Sequence, residues 1–461
     1  MPTVSQRNPL PILPTDIIHV IVDVLSFDFD FENTDSRLRD KRRKRREYYS
    51  KELLNLRVAC RQFCHIVSPR IFRTLRLTHT LKSINGFLAI VESPWANQCV
   101  QSVKYQYWDP GKYRHPPHFP FNLNLVSLAS EPHRYESVSP DDKAARESRV
   151  EIRRLLRHAL SRLDELPSLR SLSIRFGDIC PEENELKSIR DDLSFILDAL
   201  VSLGNSLPHP LESLSLTRLP PYPLPQYSDP GFRALRANLS LFEIYCASTD
   251  AWSALITSPL PPGLISPCEP FFFDTLPLQL VPPPSVATGF ENLEALALCF
   301  SDAVGIFYLR YSFSKLYFPR LRALRLQHVQ FSETCDAERF IVQHGATLLE
   351  LHLAHCQIAV KQNTGDENGD EFLDWPTVPR PWAAIYVMLM DALGRLVFLD
   401  VHDAWWVSFP DQYITYTPGS VMQFLEEGHY DDARRLEEFQ RVVKGRAECL
   451  ETEYEREYFL K

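Results

Sequence analysis

The chain has 461 residues, 44% of them hydrophobic and 11% aromatic, enough for more than one buried core. That composition excludes a disordered chain, and a net charge of −9 argues against wholesale nucleic-acid binding, which needs a concentrated basic surface. Glycine is scarce at 15 and proline plentiful at 36, which points to stiff connections and few glycine turns.

The first residues, Met1 to Asn8, carry no apolar core of signal-peptide length. The most apolar window, residues 383–401, is broken by Asp391, Gly394 and Arg395, so no membrane span is expected. Ten cysteines are scattered singly and read as reduced, buried side chains, which fits a cytoplasmic or nuclear protein.

Two short amphipathic helices come first in chain order. Apolar residues fall at Ile17, Ile18, Ile21, Val24 and Leu25, then at Leu56, Ala59, Cys60, Phe63 and Val67, close to the 3.6 period. Pro14 suits a first helical turn, where its missing N–H costs nothing. Two such helices cannot hide their apolar faces on each other alone, so some apolar surface remains for a partner. Between them, residues 26–52 form a polar insert with the run Lys41 to Arg46, preceded by acidic residues from Asp28 to Asp35. The run reads either as a nuclear import signal or as a solvated loop, and six basic residues alone would hold nucleic acid only weakly.

Leu13-Pro14, Ile17-Ile18, Ile21, Leu25, Leu54, Leu56 and Val58 to Phe63 resemble an F-box, here over residues 10–70. The long insert is where this sequence departs from that family. The resemblance implies docking of a Skp-family adaptor, with Leu13, Pro14, Ile17, Ile18, Ile21, Leu54, Val58 and Phe63 facing it.

The body of the chain then repeats a pattern, L-x-x-L-x-L. It occurs as Leu169-Leu172-Ile174, Leu211-Leu214-Leu216, Leu239-Phe242-Ile244, Leu293-Leu296-Leu298, Leu321-Leu324-Leu326, Leu348-Leu351-Leu353 and Leu396-Leu399-Val401. Weaker copies stand at Phe72-Leu75-Leu77 and Val100-Val103-Tyr105. Several steps between copies are 27 or 28 residues. The step from Leu239 to Leu293 is 54, twice 27, so a degenerate unit is expected near residues 264–280. Units of this kind resemble leucine-rich repeats, each a strand with a returning segment that buries its apolar face on its neighbours. Only Cys356 fills the slot that regular repeats give to Asn or Cys, so an irregular solenoid over residues 71–405 is expected.

Helical stripes separate some copies. Leu193, Ile196, Leu197, Leu200 and Leu203 precede one strand, and Trp382, Ile385, Tyr386, Leu389 and Leu393 precede another, with Gly394 placed to end that helix. A shorter helix from Asp336 stops at Gly345. Residues 109–142 read as a long loop, Leu219 to Pro225 and Pro282 to Ser285 as stiff connectors, and Gln362 to Glu371 as an acidic excursion. Residues 419–461 read as a charged helical cap, with Val421, Phe424, Leu436, Phe439, Val442 and Val443 able to cover the last unit. The fold class expected is therefore α/β: a small all-α F-box, an irregular leucine-rich-repeat solenoid and a C-terminal helical cap.

Chemistry is hard to find. No nucleophile elbow, phosphate-binding glycine loop or zinc-protease helix motif is present. Asp366 to Glu371 starts like a calcium loop but has glutamate where glycine should follow Asp370. Cys60, Cys64 and His65 share a helix without the four ligands that a structural zinc requires. His352 and Asp400 take equivalent positions in neighbouring units and should face each other on the open side of the sheet, without a nucleophile or metal beside them. No catalytic residue, cofactor or metal is expected.

An F-box ahead of leucine-rich repeats resembles the substrate-receptor subunits of SCF-type ubiquitin ligases, particularly those of filamentous fungi. The resemblance implies a non-enzyme that holds an unknown target protein near a cullin-based ligase, with neither membrane nor nucleic acid as partner. The target-facing positions lie between the repeat leucines: Arg175, Glu243, Tyr245, Arg325, Gln327, Glu350, His352, Asp400 and His402. A non-catalytic scaffold that binds the adaptor without delivering a target is the alternative.

Overall fold

The computed structural model describes residues 61–106, 143–176, 183–247, 271, 275–276, 281, 290–304, 313, 316–332, 335–361, 381–402, 413–416, 423–424 and 429–459. The first expected helix and most of the second lie outside these residues, and with them Leu13, Pro14, Ile17, Ile18, Ile21, Leu54 and Val58. Helix α1 (Arg61–Phe72) holds Phe63 in its first turn.

Strands and helices then alternate. The first half comprises β1 (Thr74–Thr78), α2 (Leu81–Val91), β2 (Ser102–Gln106), α3 (Lys143–Ser161), β3 (Ser171–Arg175), α4 (Glu183–Ser206), β4 (Ser213–Leu219), α5 (Pro230–Arg236) and β5 (Leu241–Cys246). There follow β6 (Ala295–Val304), β7 (Ala323–Phe331), α6 (Ala337–Val342), β8 (Glu350–Ala354), β9 (Gln357–Lys361), α7 (Trp382–Ala392) and β10 (Phe398–His402). The last elements are β11 (Tyr413–Tyr416), β12 (Gln423–Phe424) and α8 (His429–Phe459). Among the described residues no helix is long and apolar enough to cross a membrane.

Strands β1 to β8 pair in chain order, every pair parallel, and β10 adds to the far side of β8. The result is a mostly parallel α/β sheet that does not close. Its register follows from the repeat. The second repeat positions form one continuous row: Leu75, Val103, Leu172, Leu214, Phe242, Leu296, Leu324, Leu351, Leu399. The third positions form another, from Leu77 and Tyr105 to Leu353 and Val401. Because strand side chains alternate, a one-residue slip would turn both rows out to water, so burial holds the register. Both weaker copies are full members of the rows.

Local hydrogen bonding repeats with the same step. The N–H groups of Val100, Leu169, Leu239, Leu293, Leu321 and Leu396, all first repeat positions, each donate to the carbonyl three residues earlier. One carbonyl per unit then accepts two successive N–H groups of the next unit: Arg73 from Gln101 and Ser102, Arg170 from Glu212 and Ser213, Leu349 from Val397 and Phe398. The turn thus sets each strand's start while leaving few backbone groups unmatched.

The helices' apolar stripes join the same core as the repeat leucines. All five stripe residues on α4 are buried, and so are the five from Trp382 to Leu393. Thr80 caps α2 by accepting the Ser83 N–H, and Asp229 caps α5 by accepting the Gly231 N–H, with Pro230 in the first turn. Helices α4 and α5 cross at Gly204 and Gly231, so closely that a Cβ on Gly204 would sit 1.9 Å from the Gly231 carbonyl oxygen.

Helix α8 runs beside α7 and ties down both of its ends. The Asp432 carboxylate, 1% exposed, accepts the Ala383 N–H at 2.7 Å. The Arg446 guanidinium donates to the carbonyls of Leu393 (2.6 Å) and Met390 (3.3 Å). An acid at the N-terminus and a cation at the C-terminus both complement the helix dipole and satisfy its orphan groups. Phe439 and Val443 are buried, and Leu436 packs against the core.

Three expectations are corrected. Strand β5 pairs directly with β6, Leu241 opposite Ala295, so residues 264–280 add no strand between them. Phe271 and Leu276 are instead buried in the core, Phe271 against the Tyr227 ring. Gly394 is not the cap of α7: that position is Leu393, whose carbonyl Arg446 takes, and the glycine faces open space. The proline-rich stretch after β4 is extended but not solvated, since Pro220, Pro221, Leu224 and Tyr227 are buried.

Candidate functional site

The face of the sheet away from the helices carries the residues between the repeat leucines, in three rows fixed by strand register. The middle row runs Arg76, Lys104, Ser173, Ser215, Glu243, Ala297, Arg325, His352, Asp400. One outer row ends in Leu241, Ala295, Ala323, Glu350 and Phe398. The other holds Arg175, Thr217, Tyr245, Cys299, Gln327, Ala354 and His402.

Neighbouring strands lie about 4.8 Å apart, so side chains in a row touch. The Ser215 hydroxyl donates to the Glu243 carboxylate at 2.7 Å. His352 Nδ1 lies 3.1 Å from the Asp400 carboxylate, both side chains about a third exposed. The imidazole also leans on the Phe398 ring, 4.9 Å between centroids. Ser301 Oγ sits 3.2 Å from both the Tyr245 hydroxyl and the Cys246 carbonyl. Burial pushes the Cys299 thiol up to about 12, with Arg325 and Glu243 acting on it in opposite senses. That thiol stays protonated at neutral pH and is no nucleophile. Among the described residues no group of three or more His, Cys, Asp or Glu could hold a metal ion.

All nine expected target-facing residues that lie between repeat leucines fall on this face. Arg325, His352 and Asp400 are brought together on three successive strands, with Glu350 beside them. Glu243 and Tyr245 sit two strands before Arg325. Arg175 stands apart, with β4 between it and Tyr245. His402 is in register with Ala354. The sequence reading missed Leu241 and Phe398, 39% and 46% exposed, which are outward apolar positions of the same pattern. An inside–outside alternation carried one residue further back along each strand would have found both. The face offers hydrogen-bond groups, charges and isolated apolar anchors, the ingredients of a protein-docking surface.

A second feature left no signal in the sequence. The sheet forks at β7, whose first half pairs with β8 while Gln330 and Phe331 pair with β9, which leads to β11 and the antiparallel β12. The chain kinks at the fork through His328 (φ 56°) and His355 (φ 51°), each two residues past a third repeat leucine; Arg218 (φ 57°) does the same on β4. The left-handed region is uncommon for any residue but glycine, although histidine visits it more than most. The two imidazoles stack 4.8 Å apart.

Burial, and then His355, pull His328 down to about 4. An unfolded histidine titrates near 6.5, so between those values the unfolded chain binds the extra proton. Stability should therefore fall as pH drops from about 6.5 to 4, by up to roughly 3 kcal/mol for this group. Urea unfolding at pH 7 and pH 4.5 measures it, and in His328→Asn, which tolerates the same backbone, the pH-dependent loss should shrink. An equal loss in both proteins would refute the assignment.

No family model matches the chain, and no curated protein matches it.

Proposed function

We propose that this protein is the substrate-receptor subunit of an SCF-type ubiquitin ligase. In this reading residues 10–70 are an F-box that docks a Skp-family adaptor and, through it, a cullin scaffold. Residues 71–405 are an irregular leucine-rich-repeat solenoid whose open face holds the target protein, and α8 belongs to a cap over the last unit. The receptor supplies position and no chemistry: holding the target beside the ligase makes ubiquitin transfer effectively intramolecular. A cytoplasmic or nuclear location suits that role, and no cofactor is required.

The observation that carries this reading is the strict chain-order stacking of β1 to β8 and β10 with two unbroken rows of repeat leucines, directly behind the segment resembling an F-box. A purely parallel sheet usually has both faces covered. Here the alternating burial along β1, β2 and β3 leaves one face for a partner.

Co-expression with a Skp-family adaptor and a cullin tests it. The intact chain should co-purify with both, and Leu13→Asp with Pro14→Glu should lose both by at least about tenfold, since charges cannot be buried in an apolar contact. Co-purification with the adaptor but never the cullin would instead describe a scaffold. Absence of both would end the proposal.

A further inference from the structure

We propose that the β1–β4 half of the open face binds a carboxylate-rich segment of the target protein; the occupant's identity as the target rests on the function proposed above. Strand order sorts the outward residues in a way that linear sequence conceals. The twelve registered outward positions of β1 to β4 comprise three cations, Arg76, Lys104 and Arg175, with serine, threonine and one glutamine elsewhere. No carboxylate and no apolar residue is among them. The fifteen positions of β5 to β8 and β10 differ: Glu243, Glu350 and Asp400 face a single cation, Arg325, among alanines, Leu241 and Phe398.

This segregation stands out in a chain of net charge −9. Arg76 and Arg175 are exposed and Lys104 is half-buried, on three adjacent strands that span about 10 Å. An extended peptide with acidic residues at alternate positions spaces its carboxylates by about 7 Å, close enough for two of them to meet these cations. The hydroxyls between can donate to the remaining carboxylate oxygens. Apolar peptides gain nothing from such a surface, and cationic ones are repelled by it.

Fluorescence anisotropy on the purified full chain tests the assignment with three probes: a 16-residue peptide alternating Glu and Ser, its Gln-for-Glu counterpart, and a single-stranded RNA of the same length. The Glu peptide should bind, more weakly as salt rises, and the Gln peptide should not. Arg76→Glu with Arg175→Glu should weaken binding about tenfold or more, and the milder Arg76→Gln with Arg175→Gln should move it in the same direction. Arg325→Glu, on the other half of the face, should stay within about twofold of the parent. Equal binding of both peptides, or indifference to the Arg76 and Arg175 changes, would overturn the proposal. Preferential binding of RNA lost in the same variants would make the face a nucleic-acid site and overturn it as well. A tenfold gain on deleting residues 28–35 would do so too, by making the chain's own acidic stretch the occupant. No adaptor enters the assay, so its failure leaves adaptor docking intact, and failed adaptor docking leaves this result intact.

Discussion

Leu324→Ala should lower the unfolding free energy by about 2–5 kcal/mol. Leu324 is fully buried in the middle of its row, between Leu296 and Leu351. Removing its isobutyl group forfeits the transfer free energy and leaves a cavity that the rigid neighbouring strands cannot collapse into. The adjacent outward change Arg325→Ala touches no core and should stay within about 0.5 kcal/mol. Urea unfolding of the two variants side by side measures the difference. A Leu324→Ala effect below about 1 kcal/mol would mean that the leucine rows are not a close-packed core.

Gly204→Ala should also destabilise, against the usual sign for a helix. In an exposed helix the change would gain up to about 1 kcal/mol from propensity. Here the new methyl would stand 1.9 Å from the Gly231 carbonyl oxygen and 2.8 Å from its carbon, both backbone atoms of α5. Backbone cannot rotate away as a side chain can, so α5 must shift and disturb Phe232 and Leu235, which are buried beneath it. Overpacking of this kind costs about 1–3 kcal/mol or more, and it outweighs the propensity gain. Thermal unfolding should show a lower Tm for Gly204→Ala, whereas Gly86→Ala, which meets open space on α2, should be neutral or slightly stabilising. An unchanged Tm in Gly204→Ala would refute the close crossing.

The leucine rows were legible because they follow from two simple periods, alternation along a strand and a near-constant step between units. The meeting of His352 with Asp400 followed from their equal offsets in successive units, with no need of coordinates. Numerical regularity also misled: a 54-residue step fits two units of 27, yet Phe271 and Leu276 bury themselves in the core while β5 and β6 pair directly. The fork at β7 was invisible because left-handed backbone at His328 and His355 is imposed by stacking and pairing rather than by local preference. The role given to Gly394 failed because a residue distant in sequence, Arg446, takes the carbonyls at the end of α7. The sorting of charge across the open face needed strand order, and that emerges only once the units stack.

The most direct test of the whole account is affinity purification from cells with quantitative mass spectrometry, comparing three forms of the full chain. The intact protein should recover a Skp-family adaptor, a cullin and at least one further protein. Leu13→Asp with Pro14→Glu should lose adaptor and cullin while keeping the further protein, and Arg76→Glu with Arg175→Glu should do the reverse. Two variants that lose the same partners together, or an intact chain that recovers no adaptor, would contradict the division into a docking end and a recognition face.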